Sequence, residues 1–345
     1  MIKSWLFEFF HQPQDADARD DPHAVRDHFR WYLDLWSRAD DRNFEGIFFS
    51  EHHFGAAYSP SPNLLISHVA ARTSRLRLGA LGSVTPYATP WRIVEEMAML
   101  DHLTNGRLEI GVVSGIPPEL AVVGITPQVA AARHGEIADV LDAALTKPVV
   151  SHHGTQWHFH DLEILPRFFQ QPSPPIWTAV RSAESAERAG RRGWKACGGF
   201  LSAKDVGQVF DAYRAGAEAS GHLCGPEQIA VRRMITFVDK PSQQREGMHR
   251  AKRALLDVLN ASAGSLPPWA ALLDRPDESI DALSDEEFVS GTPAQVAEQL
   301  IAQCQVIGAG HLLVAFSERN YERLEHSHDL FSSEVAPALR AASVA

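Results

Sequence analysis

The sequence predicts an α/β fold of the (β/α)8 TIM-barrel class, and three observations carry that prediction. Residues 76–84 form an apolar, strand-like run. From Pro90 a helical pattern takes over, with Ile93, Met97, Leu100 and Leu103 on one face, and 107–113 reads as a second strand. A strand, a helix and a strand joined by short connections make a right-handed parallel crossover. The segment upstream repeats this arrangement: a strand at 44–49, the loop Glu51-His52-His53-Phe54, then a helix from Pro62 to Ser74. The alternation continues until eight strand–helix units have accumulated, which suits a closed barrel better than an open doubly wound sheet.

Taken in order, 2–10 is the first expected strand and 11–22, polar and acidic, the loop after it. Residues 23–40 form a helix whose Phe29, Leu33 and Trp36 make a stripe for packing on a barrel. Pro90 suits the first turn of a helix, and Asn105-Gly106 punctuates its end. The helix over 129–145 stops at Lys147-Pro148. After it, 149–166 departs from the alternation as a β-hairpin excursion with a Gly-Thr turn, its residues Trp157 to His160 either packing on the barrel or walling a substrate pocket. Strands follow at 176–180, 194–197 and 229–238, with helices over 183–190, 204–220 and 243–260. Residues 261–287, rich in Pro, Asp and Ser, are expected as an insertion or lid before the last unit, with Trp269 inside it. Thr292 caps a helix over 293–307, 310–316 is the eighth strand, and 320–341 the last helix. The whole chain, 1–345, reads as one domain.

Composition narrows the function classes. The chain has 345 residues, 45% of them hydrophobic, and a net charge of −11 from 32 basic and 43 acidic residues. No basic run or stripe is present, which argues against a nucleic-acid partner. Cys197, Cys224 and Cys304 lie far apart with no metal-ligand spacing, as expected of free thiols in a reducing cytoplasm. The N-terminal apolar run is too short and too soon acidic for a signal peptide, and no run reaches about 18 apolar residues. A cytoplasmic protein with no membrane partner is expected.

Barrel active sites lie at the C-terminal ends of the strands. That rule selects His11, Glu51-His52-His53, Ser83 to Tyr87, Ser114-Gly115, Arg181-Ser182, Phe200-Leu201 and Phe316 to Glu318. The histidine pair either moves protons or caps a buried polar network. It shows no zincin-like spacing, so no metal is expected. Leu81, Gly82 and Ser83, small residues at a strand end, allow a planar ring close to the backbone; tight barrel packing explains them equally well. Arg181, Ser182 and Ser185 stand at a helix start, where a phosphate site and a plain serine N-cap are both open readings. No GxGxxG follows the first strand and no GxSxG elbow appears, so a Rossmann-type site and a serine hydrolase are both excluded.

Three of these segments carry a resemblance. EHHF (51–54), MLDHLTNGR (99–107) and LEIGVVSG (108–115) look like the bacterial luciferase-like flavin monooxygenases, and the similarity runs almost to the C-terminus. The resemblance implies a TIM barrel with a non-proline cis peptide at Leu81-Gly82 against the flavin. It implies His52 as acid–base residue, with Glu51 as the carboxylate that orients it. FMN would be held by Leu81, Gly82, Ser83, Ser114, Ile116, Ala179, Arg181, Ser182 and Ser185, its phosphate at the two serines 182 and 185. His11, His53, Phe200 and Phe316 are expected to line the substrate pocket. One departure stands out, since luciferases carry a phosphate-binding arginine in the turn after strand four where this chain has Ser114. Loss of such a charged contact costs about 1.5–3 kcal/mol. Arg181 is the expected replacement.

The reading that results is an FMNH2-dependent monooxygenase that inserts one oxygen atom of O2 into a small organic substrate. A separate flavin reductase as partner and a homodimer are implied. Two alternatives stay open: an F420-dependent hydride transferase of the same superfamily, and a non-catalytic flavoprotein or inactive subunit.

Overall fold

A computed structural model describes residues 1–344 except 14, 56 and 262–283. The barrel strands are β1 (Lys3–Glu8), β2 (Gly46–Phe49), β3 (Arg77–Ala80) and β4 (Leu108–Val113). They continue as β5 (Ile176–Ala179), β6 (Lys195–Gly198), β7 (Ile229–Phe237) and β8 (His311–Phe316). Each pairs in parallel with the next, and β8 returns to β1, so among the described residues eight strands close a barrel. Closure removes every free edge, so the ladders are satisfied internally.

Strand alternation sends one set of side chains inward and the other out to the helices. Trp5, Phe48, Leu81, Trp177 and Leu313 fill the interior, with the Trp5 and Phe48 rings 5.0 Å apart. Their polar edges are met. Trp5 Nε1 donates to His311 Nδ1 at 2.9 Å, which leaves the proton of His311 on Nε2 to be donated to the Glu227 carbonyl at 3.0 Å. Trp177 Nε1 donates to Glu109 Oε2 at 2.5 Å, and Arg77 pairs with the same carboxylate. Gly111 is required by close approach, because a Cβ there would stand 1.9 Å from the Ala80 carbonyl oxygen. Leu6, Phe10, Trp36, Ile66, Val69 and their neighbours form the larger core between barrel and helices.

The helical shell follows the sequence closely. Pro22–Arg38, Pro62–Ala70, Pro90–Leu103, Pro127–Thr146 and Ala183–Arg191 are helical, as are Ala203–Ala219, Gln244–Ala261 and Pro293–Ile307. The hairpin excursion is present as Val149–His153 paired with His158–Glu163. Among the described residues no helix is long and apolar enough to cross a membrane.

Several details differ from expectation. The loop after β1 contains a short helix, Ala16–Asp20, begun by Asp15, whose carboxylate accepts from Asp17 N. The turn after β4 becomes the helix Pro117–Val122, since two prolines pre-set its first turn. Phe288–Gly291 forms an unexpected strand that extends the ladder of β7. Four residues are too few for alternation to be visible. The last helix is interrupted by a widened turn at Phe331–Val335, where Pro337 lacks the N–H that a regular turn uses. The expected lid at 261–287, with Trp269, falls for the most part outside the described residues.

Candidate active site

The loops at the C-terminal ends of β1 to β6 build one continuous rim. Two prolines, Pro60 and Pro62, delay the helix after β2, so Glu51 to Ser59 remain as loop. That loop is pinned to the one after β1: Tyr58 N donates to the Phe10 carbonyl at 2.7 Å, and His11 bridges Ala57. The imidazoles of His52 and His53 are thereby fixed over the barrel mouth.

Each histidine meets its own carboxylate. His52 Nδ1 donates to Glu119 Oε1 at 3.0 Å, and His53 Nε2 donates to Glu51 Oε1 at 3.0 Å. Glu119 is 2% exposed, so its charge is stabilised by this pair and by its place in the first turn of the Pro117–Val122 helix. The expectation that Glu51 orients His52 is therefore corrected. Glu51 is already committed, through Oε1 to His53 and through Oε2 to the Val84 amide at 3.0 Å. Sequence reasoning missed Glu119; a glutamate directly after Pro117-Pro118 was the available signal. Because its proton is donated from Nδ1, the neutral His52 ring keeps its lone pair on Nε2.

Around these two hydrogen-bonded histidines the rim is aromatic and polar. The Phe9 ring stacks on His52 at 5.9 Å and lies 5.7 Å from His11, which joins His11 to the same wall. Burial, with the charges of Arg319, His52 and His28, pushes His11 down to about 3, so it is neutral at physiological pH. The Tyr87 ring sits edge-on to His53 at 4.9 Å. Burial raises the Tyr87 phenol, and Glu119 and Glu51 raise it further; the buried hydroxyl has no hydrogen-bond partner among the described residues. Thr85 Oγ1 donates to the Val113 carbonyl and accepts from His134 Nδ1 at 2.8 Å.

The adjacent arc comprises the ends of β3, β4 and β5. The Leu81-Gly82 peptide is cis, and Ser83-Val84 pairs with Val112-Val113 of β4. Ser114 is exposed, and Ile116 is half-buried at the start of the helix that carries Glu119. Ala179, Arg181 and Ser182 are exposed at the end of β5. Of the two open readings of the serines, the geometry bears out the N-cap. Ser182 Oγ accepts from Ser185 N at 3.2 Å, while Ser185 Oγ accepts from Ser182 N at 3.1 Å, a capping box with both hydroxyls at the helix start. After β6, Phe200 adopts φ 69°, and its ring takes the guanidinium of Arg181 at 5.2 Å and that of Arg232 at 4.4 Å.

Phe316, expected in the pocket, faces the other way. Its ring packs on His328 at 4.8 Å and on Phe331 at 6.0 Å in the helical shell, and alternation puts Ala315 inside instead. A second feature missed by the sequence is the buried group of Arg232, Arg233 and Glu287. Glu287 accepts from Phe200 N at 2.7 Å and from Arg233 Nη1 at 3.1 Å, and it pairs with Arg232. Adjacent arginines inside the apolar run IAVRRMITF were the signal, since buried charge requires a partner.

With this geometry in place, comparison with known proteins identifies the family. The family model for luciferase-like monooxygenases matches residues 4–310. This chain belongs to the luciferase-like monooxygenase family. It is 36% identical over 346 aligned positions to the 4-hydroxyprotoasukamycin monooxygenase of Streptomyces nodosus subsp. asukaensis, covering 88% of this chain and 85% of that one. Over 165 residues it is 34% identical to the oxygenase component of the flavin-dependent trigonelline monooxygenase of Acinetobacter baylyi, covering 47% and 46% of the two chains. The crystal structure of a monooxygenase from Streptomyces bottropensis superposes with a TM-score of 0.81 at 24% identity, over 97% of this chain and 99% of that one. As a luciferase-like family member the chain is an oxidoreductase, and the rim of β1 to β6 is its candidate active site.

Proposed function

We propose that this protein is the oxygenating component of an FMNH2-dependent monooxygenase. It takes a small organic substrate and O2, with reduced flavin delivered by a separate reductase. The observation that carries the reading is the His52–Glu119 pair among the loops that follow the barrel strands, with the cis Leu81-Gly82 peptide at the end of β3. One relative, described as the oxygenase component of a flavin-dependent monooxygenase, supports both the flavin and the separate reductase.

The residues on the rim fit a flavin. Gly82 and Ser83 follow β3 and the exposed Ala179 ends β5, so no bulky side chain at these positions bars a planar ring from the backbone. Ser182, Ser185 and the Arg181 guanidinium offer hydroxyls and a positive charge for a phosphate at a helix start, with the exposed Ser114 on the neighbouring strand. The buried, unpartnered hydroxyl of Tyr87 fits a polar ligand group at the same mouth. When bound, reduced flavin supplies the two electrons that let one oxygen atom of O2 enter the substrate while the other leaves as water. The protein's part is acid–base work and exclusion of solvent. His52 Nε2 accepts or returns a proton, and Glu119 holds the ring in the tautomer that leaves this nitrogen available. Phe9, Phe200 and neutral His11 keep the wall apolar, and His53 is held back by Glu51. Free Cys197, Cys224 and Cys304 accord with a cytoplasmic setting.

The test is anaerobic titration with FMNH2 and, in parallel, with reduced F420, followed by product analysis under 18O2. Binding of FMNH2 and one labelled oxygen atom in the product support the proposal. F420 binding without oxygen consumption would move the enzyme to hydride transfer, and binding of neither would leave a non-catalytic protein.

A further inference from the structure

The hairpin that leaves the barrel after the Pro127–Thr146 helix carries a second group of histidines. Val149–His153 and His158–Glu163 pair antiparallel, with His153 opposite His158. His158 and His160 are two apart on one strand and so share a face. Pairing therefore brings three imidazoles together that the sequence separates by up to seven positions. His153 Nδ1 lies 3.3 Å from His158 Nδ1, and His158 Nε2 lies 3.1 Å from His160 Nε2. Taking one nitrogen from each ring, all three lie within 4.8 Å of one another, and all three residues are exposed.

The scaffold under this group is tied down. Glu136, on the preceding helix, accepts from the amides of Thr155 at 2.7 Å, Gln156 at 3.0 Å and Trp157 at 3.0 Å, and from His152 Nε2 at 3.1 Å. Burial would raise its pKa, but these donors outweigh it and hold the carboxylate at about 2. Gly154 gives the carboxylate room, since a Cβ there would fall 2.0 Å from Glu136 Oε2. Phe159 packs on Trp91 at 5.8 Å from the opposite face. A register shift between Val150 and His152, with Asp161 at φ 49°, lets the apolar side chains face the barrel while the three histidines face water.

We infer that His153, His158 and His160 form a binding site for a divalent transition-metal ion of the zinc, nickel or copper type, with three imidazoles and at least one water as ligands. Imidazole suits these ions. A tetrahedral ion with metal–nitrogen bonds of about 2.0–2.1 Å sets its ligand nitrogens about 3.3 Å apart. With one nitrogen taken from each ring the three already lie within 4.8 Å of one another, and rotations of the exposed rings bring them to that spacing. The expectation of no metal rested on linear spacing, which does not see a cross-strand pair. The bound ion clips the two strands of the hairpin together.

The experiment is calorimetric titration of the tag-free protein with Zn2+, alongside the double variant His158→Asn, His160→Asn and the rim variant His52→Ala. Saturable binding of one ion at micromolar or lower Kd is expected. The double variant should weaken it at least 30-fold, and His52→Ala should leave it unchanged. Visible absorption of the Co2+-loaded protein, with the intensity of a four-coordinate site, should vanish in the double variant. Absence of saturable binding, equal binding by the double variant, or loss of binding in His52→Ala would each overturn the assignment. None of these readouts depends on turnover, so failure here is separate from failure of the monooxygenase reading.

Discussion

Two groups of histidines on one chain behave in opposite ways, and the comparison separates what catalysis needs from what metal binding needs. At the barrel rim His52 and His53 are each matched to a carboxylate, His52 to Glu119 and His53 to Glu51. On the hairpin, His153, His158 and His160 face one another with no carboxylate among their ring contacts. A carboxylate partner fixes the tautomer and orientation of an imidazole, which suits proton transfer. Converging lone pairs without such a partner suit a cation. The residue type is the same; the partner differs.

Removing the imidazole at the rim should give the largest effect. His52→Ala is expected to lower kcat by about 10²–10⁴-fold with the melting temperature little changed. A variant that keeps wild-type turnover would end the acid–base role. Glu119→Gln retains an acceptor but not the charge, and a smaller loss, about tenfold, is expected in the same assay.

A pair of glycine substitutions sharpens the contrast between barrel and hairpin. Gly111→Ala drives a Cβ to 1.9 Å from a backbone oxygen in the closed barrel, which has no way to yield. It should destabilise by about 3 kcal/mol or more, read as a shift of the denaturant midpoint. Gly154→Ala meets the far end of the Glu136 side chain at 2.0 Å, and that carboxylate can move. Global stability should fall by less than about 1 kcal/mol, with faster amide hydrogen exchange confined to the hairpin.

Acid should act on the barrel and its shell through histidines that are buried neutral. Burial pushes His11, His311 and His328 each down to about 3, while unfolded histidine titrates near 6.5. The unfolded chain therefore binds more protons between these values. Stability is full above pH about 6.5 and is lost as pH falls toward 3. His328 Nδ1 is buried without a partner among the described residues, so His328→Leu should reduce the loss between pH 7 and 5 by about 2 kcal/mol. An unchanged pH dependence of unfolding would show that His328 titrates normally.

Smallest is the expected effect of Glu136→Gln, which weakens the hold on the Thr155, Gln156 and Trp157 amides. Turnover should be unchanged and the affinity for Zn2+ reduced by only a few-fold. A large loss of activity would tie the hairpin to the active site.

The sequence by itself determined the barrel and most of the rim. Crossover units are local: 76–113 shows its strand, helix and strand within one stretch, and the apolar runs at 176–180 and 310–316 need no partner to be read. Glu51, His52, Gly82, Ser114, Ser182 and Phe200 follow from strand ends alone, because a barrel places every strand end on one rim. Only the tertiary structure decided who pairs with whom. Glu119 reaches His52 across 67 positions, Glu287 reaches Phe200 across 87, and Phe316 turns outward because alternation sends Ala315 in. His153 and His158 meet through strand register, and Phe288–Gly291 is visible only as an addition to β7. The physical reason is one of range. Periodicity and turn chemistry are written in neighbouring residues, whereas a hydrogen bond between distant side chains depends on the register and twist of the closed sheet that brings them together.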